Sequence, residues 1–201
     1  PMITLAGKYL ELDGFTVIRS RGRGIDISAP SVNQRSNVQH VKVSNCVVRG
    51  ARELGIGIIY AEHVVVENCD VSDAANYATH DRHYSTDNWP GIVTIVGANE
   101  VTVRGTTIYE SWGEGLIADR GSTNILIEDN VVYDNYALQI YVHRAQNVVV
   151  QRNLTYHTNN PLFFRGREPS PCIVLENEND FSGMISTKNV KVLNNIAVGC
   201  N

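Results

Sequence analysis

The run NILIEDNVVYDNYALQIYVHRAQNVVVQRN, residues 124–153, decides the fold. It opens as an alternating strand (ILI), bends through EDN, resumes as VVY, bends again through DN and continues as LQIYV (138–142). The pattern then restarts: VVVQRNLT at 148–155 repeats ILIEDNVV at 125–132 after 23 residues. Side chains along a strand alternate between two faces, so each copy carries one apolar row and one mixed row.

Working outward, the same word recurs as YLELDGFTV (9–17), VKVSNCVV (41–48), VVVENCDV (64–71), VTVRGTTI (101–108) and VKVLNNIA (190–197). From Val41 onward the starts differ by 23, 37, 24, 23 and 42 residues. The base period is therefore about 23, with extra residues inserted twice and a further insertion after the first copy. Another short strand falls between copies: GIDIS (24–28), GIGII (55–59), GIVTIV (91–96), GLIAD (115–119) and LQIYV (138–142). Three short strands per period and no helical stretch predict a solenoid, because one repeat cannot bury its apolar face without a neighbour.

Residues 124–153 resemble the right-handed parallel β-helix repeat of the pectin-lyase-like superfamily, and the resemblance covers almost the whole chain. It implies an all-β fold, a right-handed parallel β-helix of roughly seven coils. We read one domain over 1–201, a piece of a longer chain, with inserted loops at 74–90 and 166–188. The superfamily holds polysaccharide lyases, glycoside hydrolases, carbohydrate epimerases, phage tailspikes and proteins without known activity, so it constrains function far less than fold. The expectation is a carbohydrate-active, extracellular or cell-surface protein that cleaves an acidic polysaccharide or oligosaccharide. The alternative is a non-catalytic glycan-binding or structural β-helix.

Stacking the copies assigns each column a face. Phe15, Cys46, Cys69, Thr106, Asn130, Asn153 and Asn195 form one inward column, its asparagines a ladder that satisfies itself at the strand spacing. NLT at 153–155 is a formal glycosylation sequon, but its asparagine is expected inside. Val17, Val48, Val71, Ile108, Val132, Thr155 and Ala197 are inward again. Arg49, Ser72, Tyr109, Tyr133, Tyr156 and Val198 then face out, and three successive tyrosines either cover the sheet or offer a platform for a sugar ring.

One step on stand Asp73, Glu110, Asp134 and His157, expected to face outward. Stacked carboxyls raise one another's pKa, which suits a general acid, although aspartates also serve as plain turn residues. The loop 74–90 leaves directly after Asp73 and carries Tyr77, His80, Asp81, Arg82, His83, Tyr84 and Trp89, groups able to move protons, bind a uronate carboxylate or stack on a pyranose. The catalytic candidates are thus Asp73, Glu110, Asp134, His157, His80, Arg82 and His83. The substrate-binding candidates are Tyr84, Tyr109, Tyr133, Tyr156, Trp112 and Glu114. Asp119 with His143, and Arg120 with Arg144, form a second set one coil apart, read as a surface ion pair. A lyase would use Arg, His or Tyr beside a neutralised carboxylate, and a hydrolase would need two carboxyls at a fixed separation. No metal ligand set is assigned and no cofactor is required; calcium is the one cofactor a lyase reading leaves open.

Composition narrows the remainder. A formal charge of -4 and the lack of a basic stripe exclude a nucleic-acid partner. No run approaches the length of a membrane span, and no membrane insertion is expected. Walker, His-Glu-x-x-His and Gly-x-Ser-x-Gly motifs are absent. Cys46 and Cys69 are expected as buried small hydrophobes, while Cys172 and Cys200 could be bridged, as in an extracellular protein. Oligomeric state is not legible.

Overall fold

The computed structural model describes residues 1–75, 91–177 and 185–201. Its strands form three parallel sheets of seven strands each. The first sheet contains Ile3–Leu5, Ile25–Ser28, Ile56–Ile59, Gly91–Val96, Glu114–Asp119, Leu138–His143 and Ile173–Glu176. The second contains Lys8–Asp13, Gln39–Ser44, Glu62–Glu67, Asn99–Arg104, Thr123–Glu128, Gln146–Gln151 and Lys188–Leu193. The third contains Thr16–Ile18, Val47–Arg49, Asp70–Ser72, Thr107–Tyr109, Val131–Tyr133, Leu154–Tyr156 and Ile196–Val198. Each coil visits the sheets in that order, so every strand pairs with the equivalent strand of the next coil.

Register carries the sequence periodicity into the core. Ile25, Ile56, Val93, Leu116 and Ile140 pair in one row, and Val48, Val71, Ile108 and Val132 in another, all fully buried. Each such side chain contributes roughly 1.5–3 kcal/mol of apolar burial, against which the ordering of the backbone must be set. Outside the second sheet, charges alternate between coils: Lys42 Nζ lies 2.9 Å from Glu67, and Arg104 reaches the same carboxylate at 2.6 Å.

The two bends flanking the third sheet use one device twice. Asn45, Asn68, Gly105, Asp129, Arg152 and Asn194 have positive φ at the first bend; Arg19, Gly50, Asp73, Glu110 and Asp134 have it at the second. Glycine, asparagine and aspartate tolerate this left-handed conformation best, which explains most of the residues found there. The following residue turns inward. At the first bend Asn130 Nδ2 donates to Asn153 Oδ1 at 2.9 Å, and Asn153 Nδ2 to Asn195 Oδ1 at 2.9 Å. The same oxygens accept backbone N–H groups, while the amides also donate to Val103 O and Ile127 O, so the ladder is saturated. Cys46 and Cys69 continue it as buried free thiols. Asn153 is 1% exposed, which removes the sequon from use.

Several expectations change at the first and last coils and at the second bend. Phe15 is 51% exposed rather than inward, and Ala197 is exposed, because each lies on a terminal coil of this chain, stacked on one side only. Ser72, Asp134 and His157, expected outward, are buried. The Cys172–Cys200 bridge is present, with Cα atoms 5.4 Å apart.

Candidate active site

Two groups of ionisable residues stand apart, one at the bend from the third sheet to the first and the other at the far end of the first-sheet strands, and they differ in what they can do. The first is the column at the second bend. Asp134 accepts from Thr158 N at 2.9 Å and from Thr158 Oγ1 at 2.6 Å, and it lies 3.2 Å from His157 Nδ1. His157 Nε2 is 2.9 Å from Gln139 Nε2 and 3.0 Å from Ser170 Oγ. Asp134, His157, Gln139 and Ser170 are all buried. Serine, histidine and aspartate thus stand in the order of a hydrolytic triad, yet Ser170 Oγ donates to Asn135 O at 2.8 Å and Ser170 N donates to the imidazole at 3.2 Å. A nucleophile needs its proton facing the base and its oxygen facing substrate; Ser170 has neither. The network is a bolt through the wall of the helix.

Asp73 and Glu110 remain outside that bolt, Asp73 exposed and Glu110 partly so. Partial burial, then the charges of Asp134 and Asp73, raise the Glu110 pKa above the usual carboxylate range. The adjacent tyrosines are arranged differently from the platform expected. Tyr109 and Tyr133 stack with ring centroids 5.0 Å apart at 2°, and Tyr133 and Tyr156 at 4.7 Å and 6°. Their faces cover one another, so the middle ring offers a sugar only its edge. Burial and the neighbouring phenols and carboxyls push the Tyr133 phenol up to about 12, and burial raises Tyr156 as well. Both are protonated at neutral pH and unsuited to act as bases there.

The second group lies on the outward row of the first sheet, where Tyr141 and His143 alternate with inward Ile140 and Val142. Asp119 and His143, one coil apart, meet at 3.0 Å from Oδ1 to Nδ1, and Arg120 Nε contacts the other carboxylate oxygen at 3.0 Å. The Tyr141 ring lies parallel to His143, with centroids 5.3 Å apart at 3°. Tyr141, His143 and Asp119 are only 4%, 5% and 6% exposed although they point away from the core. The expected surface ion pair is therefore a buried one. Burial pushes Asp119 up, while His143 and Arg120 pull it back. Ile117, Ala137 and Leu138 form an apolar patch around Tyr141. Glu114 is buried at the start of the same face, and Trp112 packs against Tyr136 and Phe163 with centroids 6.4 and 5.3 Å away. Arg144 is buried, whereas Arg120 is half exposed.

His80, Arg82, His83 and Tyr84 lie outside the described residues. Among the described residues, no group of three or more His, Cys, Asp or Glu side chains is placed to hold a metal ion. Tyr141 was missed in the sequence reading. The signal was the Tyr-x-His spacing of a strand, which puts both rings on one face.

Residues 31–201 match the family model described as the right handed beta helix region. The chain belongs to this family. No curated protein matches the chain. Among solved structures, the mannuronan C-5 epimerase AlgE6 A-module of Azotobacter vinelandii is 15% identical with a TM-score of 0.59, over 92% of this chain and 51% of that one. The Dettilon tailspike protein is 11% identical at a TM-score of 0.56, over 96% of this chain and 48% of its own. Tailspike protein 2 of an Escherichia coli O157:H7 bacteriophage is 14% identical at 0.51, over 94% and 31%. This right handed β-helix thus spans about half or less of these three structures, and at such identities the likeness is one of fold. No helix among the described residues is long and apolar enough to cross a membrane.

Proposed function

We propose that this right handed β-helix acts on an acidic polysaccharide outside the cell, by moving the proton on the sugar carbon that bears the carboxylate. The observation that carries this reading is the buried Asp119–His143–Tyr141 group on an outward sheet face. Asp119 lies 3.0 Å from His143 Nδ1 and orients the ring for proton transfer. The Tyr141 phenol beside it supplies the second proton-bearing group. Removal of the uronate proton by one group, followed by protonation of the departing glycosidic oxygen, gives elimination. Return of a proton to the opposite face of the same carbon gives epimerisation. Arg120, half exposed beside Asp119, is placed to meet the substrate carboxylate. The named activity of the mannuronan C-5 epimerase module agrees with a glycan substrate. The disulfide agrees with an oxidising compartment.

A second reading rests on Glu110. Its raised pKa, beside Asp73, suits the general acid of a glycoside hydrolase. Product analysis separates the two: incubation with a panel of polyuronates and neutral glycans should give unsaturated or epimerised uronates that disappear in His143→Gln. Reducing ends without unsaturation, lost in Glu110→Gln and kept in His143→Gln, would favour hydrolysis. Inertness of the chain on every glycan in the panel, with binding intact, would favour the non-catalytic alternative.

A further inference from the structure

The bolt at the second bend fixes the protonation state of His157 through a chain of donors that begins at the backbone. Ser111 N can only donate, and it points to Asn135 Oδ1 at 3.2 Å. That contact turns Asn135 Nδ2 toward Gln139 Oε1, 2.8 Å away, and Asn135 N donates to the same oxygen at 3.1 Å. Gln139 Oε1 is therefore held, and its Nε2 faces His157 Nε2 at 2.9 Å. Ser170 N donates to the same imidazole nitrogen. His157 Nε2 accepts from Ser170 N, so the ring carries its proton on Nδ1, on the side of Asp134, whose Oδ1 is 3.2 Å away but not aligned as a hydrogen-bond acceptor.

A second proton, on Nε2, would confront two donors, the Ser170 N–H and the Gln139 amide that also donates to Asn135 O and Ser170 Oγ, and would keep only Ser170 Oγ, 3.0 Å away, as an acceptor. Of the groups packed around the ring, Asp134 brings a charge, with Glu110 and Asp73 behind it on the same column. Gln139 and Ser170 are neutral, and the Phe164 ring meets the imidazole edge-on at 6.0 Å. Burial, the largest influence, lowers the His157 pKa, and Asp134 opposes it.

What the bolt secures is the chain between the third and first sheets of the last coils. Thr158, at its start, is held by Asp134, and Ser170, near its end, by His157. Phe163, between them, packs on Trp112 beside buried Glu114. We propose that His157 is an acid-sensitive clasp: its protonation frees residues 158–170 from the β-helix wall and lifts Phe163 from Trp112, opening the corner next to the first-sheet face. The clasp stands independently of the activity proposed for that face.

The sign follows from linkage. A histidine held neutral binds fewer protons folded than unfolded, so clasp stability is complete above the ordinary value of 6.5 and declines as pH falls through the lowered folded value. The test is Trp112 emission in a Trp89→Phe chain, titrated from about pH 7.5 to about pH 4.5, the range in which histidine changes charge. The expected result is a reversible change with a midpoint below 6.5, an unchanged far-UV strand signal, and cleavage within 158–170 about tenfold faster on the acid side, tracking the open population. His157→Gln should abolish the transition. A transition that survives in His157→Gln but moves in Glu110→Gln would overturn the proposal in favour of the carboxyl column. Long-range proton–nitrogen NMR of the full chain at neutral pH provides a check that needs no variant: protonated Nδ1 is expected, and a proton on Nε2 would overturn the clasp.

Discussion

The asparagine ladder at the first bend and the outward face of the first sheet are both buried and polar, but they are built on opposite plans. In the ladder, Asn130, Asn153 and Asn195 repeat one side chain, and each amide finds its partners in the neighbouring coil and the backbone. On the first sheet, coil neighbours differ: Ile117 precedes Tyr141, and Asp119 precedes His143. Identity between coils satisfies hydrogen bonds and stabilises the stack. Difference between coils brings an acid, a base and a ring together, which a scaffold alone does not require.

The comparison breaks most visibly if catalysis is disturbed without the fold. His143→Gln and Tyr141→Phe should each lower turnover on a polyuronate by about 100-fold or more, the worth of a positioned proton-transfer group, with the far-UV strand signal retained. Asn130→Leu should do the reverse. It strands the Thr106 N–H and the Val103 carbonyl in the core, and urea unfolding should show a loss of about 2–6 kcal/mol, at roughly 1–3 kcal/mol per unsatisfied group. Glu110→Gln sharpens the contrast through pH. Because the folded Glu110 pKa lies above its unfolded value, this group costs stability as pH rises past the ordinary carboxylate range, and the variant's stability should rise relative to wild type over that window. Arg104→Ala, on the exposed charge ladder, should cost no more than about 1 kcal/mol, a difference that high salt reduces.

Much of the fold was legible because a 23-residue period with alternating apolar residues fixes strand, bend and inward row together. The ladder at Asn130 and Asn153 was legible for the same reason. Asp134 and His157 were read as outward because alternation was carried one residue past the strand end; positive φ breaks it at Asp134, and Ser170 packs over His157. The EDN and YDN bends are the same left-handed step followed by an inward amide, so Asn135 belongs inside with Asn130. Gln139 and Ser170 could not be joined to His157 from sequence, since the bonds span 18 and 13 residues and one crosses an irregular segment. The tyrosines at 109, 133 and 156 were placed correctly on consecutive coils, but only the structure shows their rings closed face to face.

The reaction proposed for the first-sheet face removes a proton next to a uronate carboxylate, and deuterium exchange reads that removal. A polyuronate incubated with the chain in heavy water, and analysed by NMR, should acquire deuterium at that carbon or lose its proton to unsaturation, and Asp119→Asn, His143→Gln and Tyr141→Phe should suppress the change while retaining the strand signal. Glycan turnover with no exchange and no unsaturation, or exchange that persists in all three variants, would contradict the account.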